Sequence, residues 1–503
     1  MSEINAWGCG NATETQRREL AGTIVRQALD DAVEPLTDAV AAFLRRPLSP
    51  ASFHAFELAL VCLIRALGRA ILQATVNVLE PDDPQLLPKD LVFECGGYRR
   101  RSTKTRNQHV ATRFGTIFLR RRGYRSWQAS EGSIFPLEML LGLVEGITPA
   151  LADQMGRWTA DAGASQQAVL ALLRTECDVA MGVKRLRAFT QQLSESMSEL
   201  REESYVDALL AALSEANRSR GNRKPVLSVG RDGITLREYK HSLFEVATAA
   251  TVSVLDRAGK RIKTVYLAWP PELGQATMDE MLTNLLEQLF AQYEGPFPRL
   301  AYVADCGSNE EAYFNNALRR MVHPVTGKRL IWQRVTDFFH VSERIWAMAD
   351  ALFTKNEKQR AAAWARRMLK SLKKPSGASR VLHSAASLFH RRNLGKTRRE
   401  SFWRAYRYIQ QRTKTLRYSE YASLHIPLGS GVTEAACKTI FTQRLKLSGM
   451  RWTFQGAKTI LGLRTILLSG VWDTTFAAHL AALAPDEMRP YEPNSQERRK
   501  TAA

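Results

Sequence analysis

Three acidic residues, far apart along the chain, stand in settings that could do phosphoryl chemistry. Asp232 follows the short apolar run VLSVG, and Asp305 closes the apolar run LAYVAD. Glu434 lies in the first turn or so of a helix that the Gly-Ser-Gly turn of LGSGVTEAACKTIF leads into. Acids at adjacent strand ends and one on a helix can converge in space. Such a cluster suits Mg²⁺ or Mn²⁺, which take oxygen ligands and keep several waters. Two such ions roughly 3.5–4 Å apart would activate an oxygen nucleophile and stabilise the leaving oxygen of a phosphodiester. Asp232-Gly233 also fits an ordinary surface turn. The apolar strand before it, and the same arrangement at Asp305, argue for the cluster. Glu310 and Glu311 stand in reserve as ligands.

The elements that must position these acids read as an alternating pattern over residues 225–341. VLSVGRDGI, LFEVATAATVSVLD and KRIKTVYLAW predict three strands, the last two joined by an Asp-Arg-Ala-Gly turn at 256–259. TMDEMLTNLLEQLFAQY predicts an amphipathic helix, LAYVAD a buried strand, NEEAYFNNALRRMV a helix and LIWQRVTDFFHV a further strand. That succession is the order of an RNase H-like α/β core. Its second part is expected over 426–484, with Glu434 on its first helix and a further helix after a break at Gly449.

Between the two parts, residues 342–425 are helical in pattern and strongly basic, with 20 Lys plus Arg against 5 Asp plus Glu, a net +15. Trp346, Trp364, Phe389, Phe402, Trp403, Tyr406 and Tyr408 are interleaved with these charges. Read functionally, the insertion binds phosphate and one or two aromatics stack on an unpaired base. Read structurally, the aromatics are its core.

The N-terminal half is expected to bring DNA to the core. Residues 1–80 predict a helical region: about twelve disordered residues, a helix over Glu14–Leu44 that Pro35 could kink, and a second from Ser49-Pro50 to about Val78. The second is apolar nearly all round and is expected to be buried, against the first or against a second copy of the chain. PDDPQLLP at 81–88 is a linker. Residues 89–135 predict a small β hairpin around Gly115, dense in Arg99, Arg100, Arg101, Lys104, Arg106, Arg113 and Arg120 to Arg122, which reads as a DNA-backbone ribbon or a solvated sheet face. Residues 136–216 are helical. ASQQAVLALLRTE, a break at 178–183 and VKRLRAFTQQL fit a helix-turn-helix whose second helix opens with Lys184, Arg185 and Arg187. NRSRGNRKP at 217–225 is a basic linker, and 485–503 a flexible tail.

Composition agrees with a polyanionic partner. The 503 residues carry a net charge of +21, which favours nucleic acid first and an anionic membrane surface second. Arg65 and Arg69 interrupt the most apolar stretch, so no membrane span is expected. The N-terminus lacks the basic-then-apolar start of a signal peptide. Six cysteines, none in a CxxC pair, suit a reducing cytoplasm and argue against zinc. Expected localisation is therefore cytoplasmic, at the nucleoid.

The same residues resemble bacterial insertion-sequence transposases of the DDE type, in the Mutator-related group with an all-helical insertion before the glutamate. The resemblance covers 220–475 well and 15–200 loosely. Its most specific piece is IPLGSGVTEAACKTIFTQRLKLSGMRW, residues 426–452, where Gly429, Ser430, Gly431, Glu434, Lys438, Arg444, Gly449, Met450, Arg451 and Trp452 match. VADCGS and GRDG resemble the two aspartate blocks. In DFFHV, Asp337 and His340 correspond to the Asp-x-x-His pair of Mutator-like relatives. His340 there either orients a phosphate or relays a proton, or the pair pins the insertion to the sheet. The chain departs from the group near its N-terminus. Only Cys95 remains where relatives often carry a small zinc ribbon.

The resemblance implies a transposase that binds terminal inverted repeats of double-stranded DNA, cuts with a metal-activated water and joins a 3′ hydroxyl to target DNA, as a homodimer or larger. Asp232, Asp305 and Glu434 would hold the ions. Lys438, Arg444, Arg451 and Trp452 would touch DNA near the cut. Two rivals remain open: a domesticated, non-cutting DNA-binding regulator, and an RNase H-type nuclease selective for branched or hybrid structures.

Overall fold

The computed structural model describes residues 13–491, apart from 95, 101–103, 129–131, 162, 164, 238–243, 306 and 486–487. Expectations placed on residues 1–12, Cys95, Arg101 and the end of the tail lie outside the described residues. The architecture is mixed α/β, with helices leading at the N-terminus. The chain divides into two units, residues 1–159, 164–193 and 476–503, and residues 160–163 and 194–475. Among the described residues no helix is long and apolar enough to cross a membrane.

The first unit opens with a helical hairpin, α1 (Glu14–Arg45) and α2 (Pro50–Val78). Thr13 and Ser49 start the helices with capping boxes, each side-chain hydroxyl accepting from the backbone three residues on. Pro35 does not divide α1. Contrary to expectation, no residue of α2 is buried, and Leu58, Val61 and Ile64 are exposed. A helix apolar all round needs partners on every side; α2 packs on α1 and, along its second half, on the strand Gly115–Arg121, and the face with Leu58, Val61 and Ile64 is left open.

Short strands β1 (Asp90–Phe93), β2 (Gly96–Arg100), β5 (Tyr124–Ser126), β6 (Ser133–Ile134) and the last of the chain, β12 (Arg489–Pro490), form a sheet in the order β12-β1-β2-β5-β6. Between β2 and β5, β3 (Arg106–Thr112) and β4 (Gly115–Arg121) pair as the expected hairpin. Helices α3 (Pro136–Leu140), α4 (Pro149–Ala160) and α5 (Gln166–Cys177) follow, and α6 (Val183–Arg218) begins in this unit. The expected basic ribbon is corrected here, because many of its arginines work internally. Arg122 is buried against Glu80 at 3.2 Å and donates to the carbonyls of Pro81 and Asp82. Arg120 reaches Asp82 and the carbonyls of Asn77 and Glu80. Arg121 pairs with Glu138 at 2.6 Å and lies over the Phe135 ring. Arg100 caps the carbonyls of Pro84 and Leu87. A guanidinium presents five donors in a fixed fork, and here the fork staples the 79–88 linker to the strands. Burial outweighs Arg122 at Glu80 and pushes its carboxyl up to about 7. Arg106, Arg113 and Arg125 stay exposed.

The second unit is built on a five-stranded sheet, β7 (Val226–Arg237), β8 (Phe244–Leu255), β9 (Arg261–Trp269), β10 (Arg299–Ala304) and β11 (Trp332–Thr336), in the order β11-β10-β7-β8-β9. β7, β8 and β9 form an antiparallel meander. β10 runs parallel to both β7 and β11. α7 (Ala276–Gln292) joins β9 to β10, and α8 (Ser308–Tyr313), extended by a π-helical turn at Phe314–Leu318, leads towards β11. Helices α9 (Phe338–Leu352), α10 (Lys358–Leu372), α11 (Gly377–His390), α12 (Lys396–Gln411) and α13 (Tyr418–Ser423) form the insertion. α14 (Gly431–Cys437), followed by a π-helical turn over Lys438–Thr442, and α15 (Phe454–Leu468) return to the sheet, and α16 (Trp472–Leu483) follows.

Two details differ from expectation. DFFHV is not strand, since β11 stops at Thr336 and Asp337 caps α9. Asp232 is not at a strand end. β7 runs on to Arg237 beside β8, while its pairing with β10 stops at Val229.

Candidate active site

Three aspartates lie just past the paired ends of neighbouring strands. β7 and β10 pair as far as Val229 with Tyr302; Asp232 and Asp305 each lie three residues further on, and their charges act on one another. β10 and β11 pair Ala304 with Thr336, so the next step sets Asp305 beside Asp337. The amide of Asp337 donates to the Ala304 carbonyl at 3.1 Å, which holds that step.

Alternation along β7 then separates two environments. Arg231 is fully buried, paired with Asp279 at 2.5 Å, bonded to Gln275 and stacked over Tyr313. Asp232, on the opposite face, accepts from the Cys437 thiol on α14 and from the Gly233 amide. Burial raises its pKa, and the nearby charges of Asp305 and Glu434 raise it further. Glu310 is buried on α8 and shifts the same way, first through burial and then through Asp305 and Asp232. Glu311 turns away to Arg334 at 2.9 Å. Among the described residues no Lys or Arg forms an ion pair with Asp232, Asp305, Glu310 or Glu434. Negative charge is gathered here without an ion-paired base, and the buried Arg231 guanidinium offsets only part of the rise at Glu310.

The helix that carries Glu434 is docked by its neighbours in sequence. Thr433 shares a 2.7 Å hydroxyl hydrogen bond with Thr251 on β8. It also rests where a Gly230 side chain would be, 2.1 Å from the position of a Cβ. Glycine at 230 is therefore what lets α14 lie against β7. A cleft of about 540 Å³ opens on this face, lined in part by Ser228, Gly230, Ser253, Ser430 and Thr433.

Ser430 ties Glu434 to the end of β11. Its hydroxyl lies 3.0 Å from Glu434 Oε1 and 2.8 Å from Asp337 Oδ2, and its amide also donates to Asp337 Oδ2. Asp337 Oδ1 accepts from the amides of Phe339 and His340 at 2.6 and 2.9 Å. Both oxygens of this wholly buried carboxylate are thus engaged. Of the two readings of Asp337, the positioning one carries the observed bonds: it caps α9 and clamps the loop before α14. Asp337, His340 and Glu434 are the described residues whose candidate ligand atoms all lie within 4.8 Å of one another. Asp232 and Asp305 stand outside that tight set and connect to it through Cys437 and through electrostatic coupling. His340 Nδ1 lies 3.4 Å from Glu343.

Several expected DNA contacts are placed otherwise. Arg444 is buried, lies over the Trp452 ring, and is held down to about 10 by burial and by Arg464. Trp452 is half-buried and donates from Nε1 to the Leu445 carbonyl at 2.9 Å. These two residues brace the turn between α14 and α15, and the burial of Arg444 keeps it from facing a ligand. Lys438 and Arg451 are exposed. Helix, turn and helix are present at α5 and α6. There Lys184 is exposed, Arg185 donates to the Glu145 carbonyl, and Arg187 to the Gln166 side chain. In the insertion Trp364, Phe389 and Phe402 are core, Trp364 bonded to Ser384. A groove of about 570 Å³ on α12 is lined by Arg399, Trp403, Arg404, Arg407, Tyr408 and Arg412.

Sequence reasoning did not single out Ser430 or Cys437 as contacts of the acids. Their signal was spacing: Ser430 four residues before Glu434 and Cys437 three after it, which on a helix is the same face. No protein-family model and no curated protein matches the chain.

Proposed function

We propose that this protein is a metal-dependent DNA-cutting and strand-joining enzyme, with an RNase H-like core similar to that of DDE transposases of bacterial insertion sequences. The observation that carries the reading is a carboxylate cluster with no ion-paired base among the described residues: Asp232 and Asp305, each just past the paired part of adjacent strands and close enough for their charges to couple, and Glu434 on a helix whose Cys437 bonds to Asp232. The donor set is all oxygen around hard carboxylates, which fits Mg²⁺ or Mn²⁺. Asp232, Asp305 and Glu434 would hold the ions, and Glu310 is near enough in charge to assist. Bound there, divalent ions supply Lewis-acid stabilisation and an activated water for phosphodiester displacement.

The chain's own residues do the rest. Asp337 and Ser430 hold α14 in register with β11, and so fix the Glu434 carboxylate. His340, close to Glu434, orients a phosphate oxygen or moves a proton. The outer face of the insertion, with exposed Arg366, Arg367, Lys370, Arg399, Arg404 and Arg407, attracts the DNA backbone.

The test is a supercoiled plasmid carrying the terminal repeats of the element that encodes the protein, incubated with Mg²⁺ or Mn²⁺. Cleavage at the repeat ends and joined products are expected, both lost in Asp232→Asn and Glu434→Gln. Binding without cutting would replace this reading with that of a DNA-binding regulator. Cutting of branched DNA without repeats or joining would replace it with that of a structure-selective nuclease.

A further inference from the structure

The sheet face that bears Asp232 continues away from the acids into a second site. Strand alternation places Ser228 and Gly230 of β7 on that face, and their register with β8 adds Thr251, Ser253 and Leu255. Arg261 of β9 pairs with Leu255, and Val303 of β10 lies two residues past Ala301, the partner of Ser228. Residues of the 425–433 segment close over these strands and leave the cleft of about 540 Å³ between. Ser228 is four residues, roughly 13 Å, back from Asp232 along β7, so this end of the cleft is separate from the carboxylate cluster.

Most hydroxyls here satisfy one another. Thr251 bonds to Thr433 at 2.7 Å and Ser253 to Thr264 at 2.8 Å. Ser228 does not: its side chain is in a residue only 7% exposed, and its hydroxyl has no hydrogen-bond partner among the described residues. A buried hydroxyl left so is unfavourable until something in the cleft bonds to it. His425 is a second such group. Its Nδ1 lies 3.0 Å from the Arg257 carbonyl, so Nδ1 carries the hydrogen and Nε2 is left as an acceptor in the neutral ring. The ring is placed with care. His425 takes a left-handed φ of 58°, and it packs on Gly259, where a Cβ would lie 3.1 Å from the His425 Cβ.

Charge and shape say what fits. The described lining holds Arg261 and His425 and no carboxylate. Arg261 is exposed, and its guanidinium has no partner among the described residues. Asp256, the acid of the adjoining turn, is folded back on the amides of Ala258 and Lys260 at 2.9 and 2.8 Å. Leu255, Val303, Ile426, Pro427 and Val432 supply apolar wall. A ligand that matches has an apolar ring, polar edges and an anionic end, at a volume within the usual range of small-molecule sites.

We propose that this cleft binds a nucleoside monophosphate, either free or as the phosphorylated end of a strand. The base lies against the apolar wall, its polar edge or the sugar meets Ser228 and His425, and the phosphate meets Arg261. The proposal does not depend on the enzymatic reading, and a failed plasmid assay leaves it standing.

The test is calorimetric titration of the full chain with dAMP, in chelator and at about 0.3 M salt to screen exposed charge. Saturable one-to-one binding is expected, weakened at least about tenfold by Arg261→Gln and by Ser228→Val, and unchanged by Arg404→Gln with Arg407→Gln in the insertion. Arg261 is exposed, so its variant folds whether or not Ser228→Val does. Deoxyribose 5-phosphate and inorganic phosphate are expected to bind at least about tenfold more weakly than dAMP. No saturable binding up to about 1 mM, equal binding of inorganic phosphate, an Arg261→Gln chain that binds like wild type, or loss in the insertion variant overturns the proposal. A 5′-phosphorylated tetranucleotide decides the source: tighter binding than dAMP assigns the site to a strand end, and equal or weaker binding to the free nucleotide, both supporting the site.

Discussion

Replacing Asp337 by Asn tests whether this residue is a clamp or a metal ligand. In the clamp, Oδ1 serves the amides of Phe339 and His340, and Oδ2 serves the amide and hydroxyl of Ser430. Asparagine keeps one acceptor oxygen. If that oxygen stays with α9, the NH₂ faces the buried Ser430 amide, donor against donor. An orphaned buried donor costs about 1–3 kcal/mol, and each charge-assisted bond that becomes neutral loses about 1 kcal/mol. Relief of one buried negative charge offsets part of this, leaving a net loss of about 3 kcal/mol. For a unit of about 290 residues, at about 2.1 cal/mol/K per residue, the melting temperature falls by roughly 1.7 °C per kcal/mol, so a drop of roughly 5 °C is expected. The assay is calorimetry of the apoprotein in chelator, with Asp305→Asn alongside. Asp305 sits in the carboxylate cluster, so its neutralisation should leave the transition unchanged or raise it. An Asp337→Asn protein that melts with wild type, or higher, would refute the clamp and return Asp337 to the ligand set.

Three further outcomes follow from particular contacts. Gly230→Val should push Thr433 off β7, lower the melting temperature and abolish cutting, whereas Gly395→Ala, where a Cβ would meet nothing within 4 Å, should be milder; equal effects in a thermal shift and cleavage comparison would count against the docking of α14. Changing Arg366, Arg367, Lys370, Arg399, Arg404 and Arg407 to Gln should flatten the slope of log affinity against log salt by roughly five at about 0.9 per contact, and an unchanged slope in fluorescence anisotropy would remove the insertion as phosphate clamp. Asp232 and Glu310 have raised pKa values when folded, so their ionisation opposes folding as pH climbs through those values; Mg²⁺ should therefore raise the melting temperature more at pH 8 than at pH 5, and equal shifts at both would argue against ion binding there.

The order of elements in the second unit was legible along the chain, because strand alternation, helical periodicity and the turn at 256–259 are written in near neighbours. The sequence also showed where α1 and α2 begin, since Thr13 and Ser49 cap locally. It named Asp232, Asp305 and Glu434, whose flanking strand and turn residues are local too. Which charges are taken up internally depends on contacts between segments far apart in the chain. Arg120, Arg121, Arg122 and Arg444 read as a DNA-facing surface along the chain, yet carbonyls, carboxylates and aromatic rings from other segments take up their guanidinium groups. The same holds for Asp337, whose four donors come from two separated segments, and for α2, which lacks a neighbour on the face its composition asked to bury. Local patterns choose secondary structure. A long polar side chain chooses its partners only after distant segments meet.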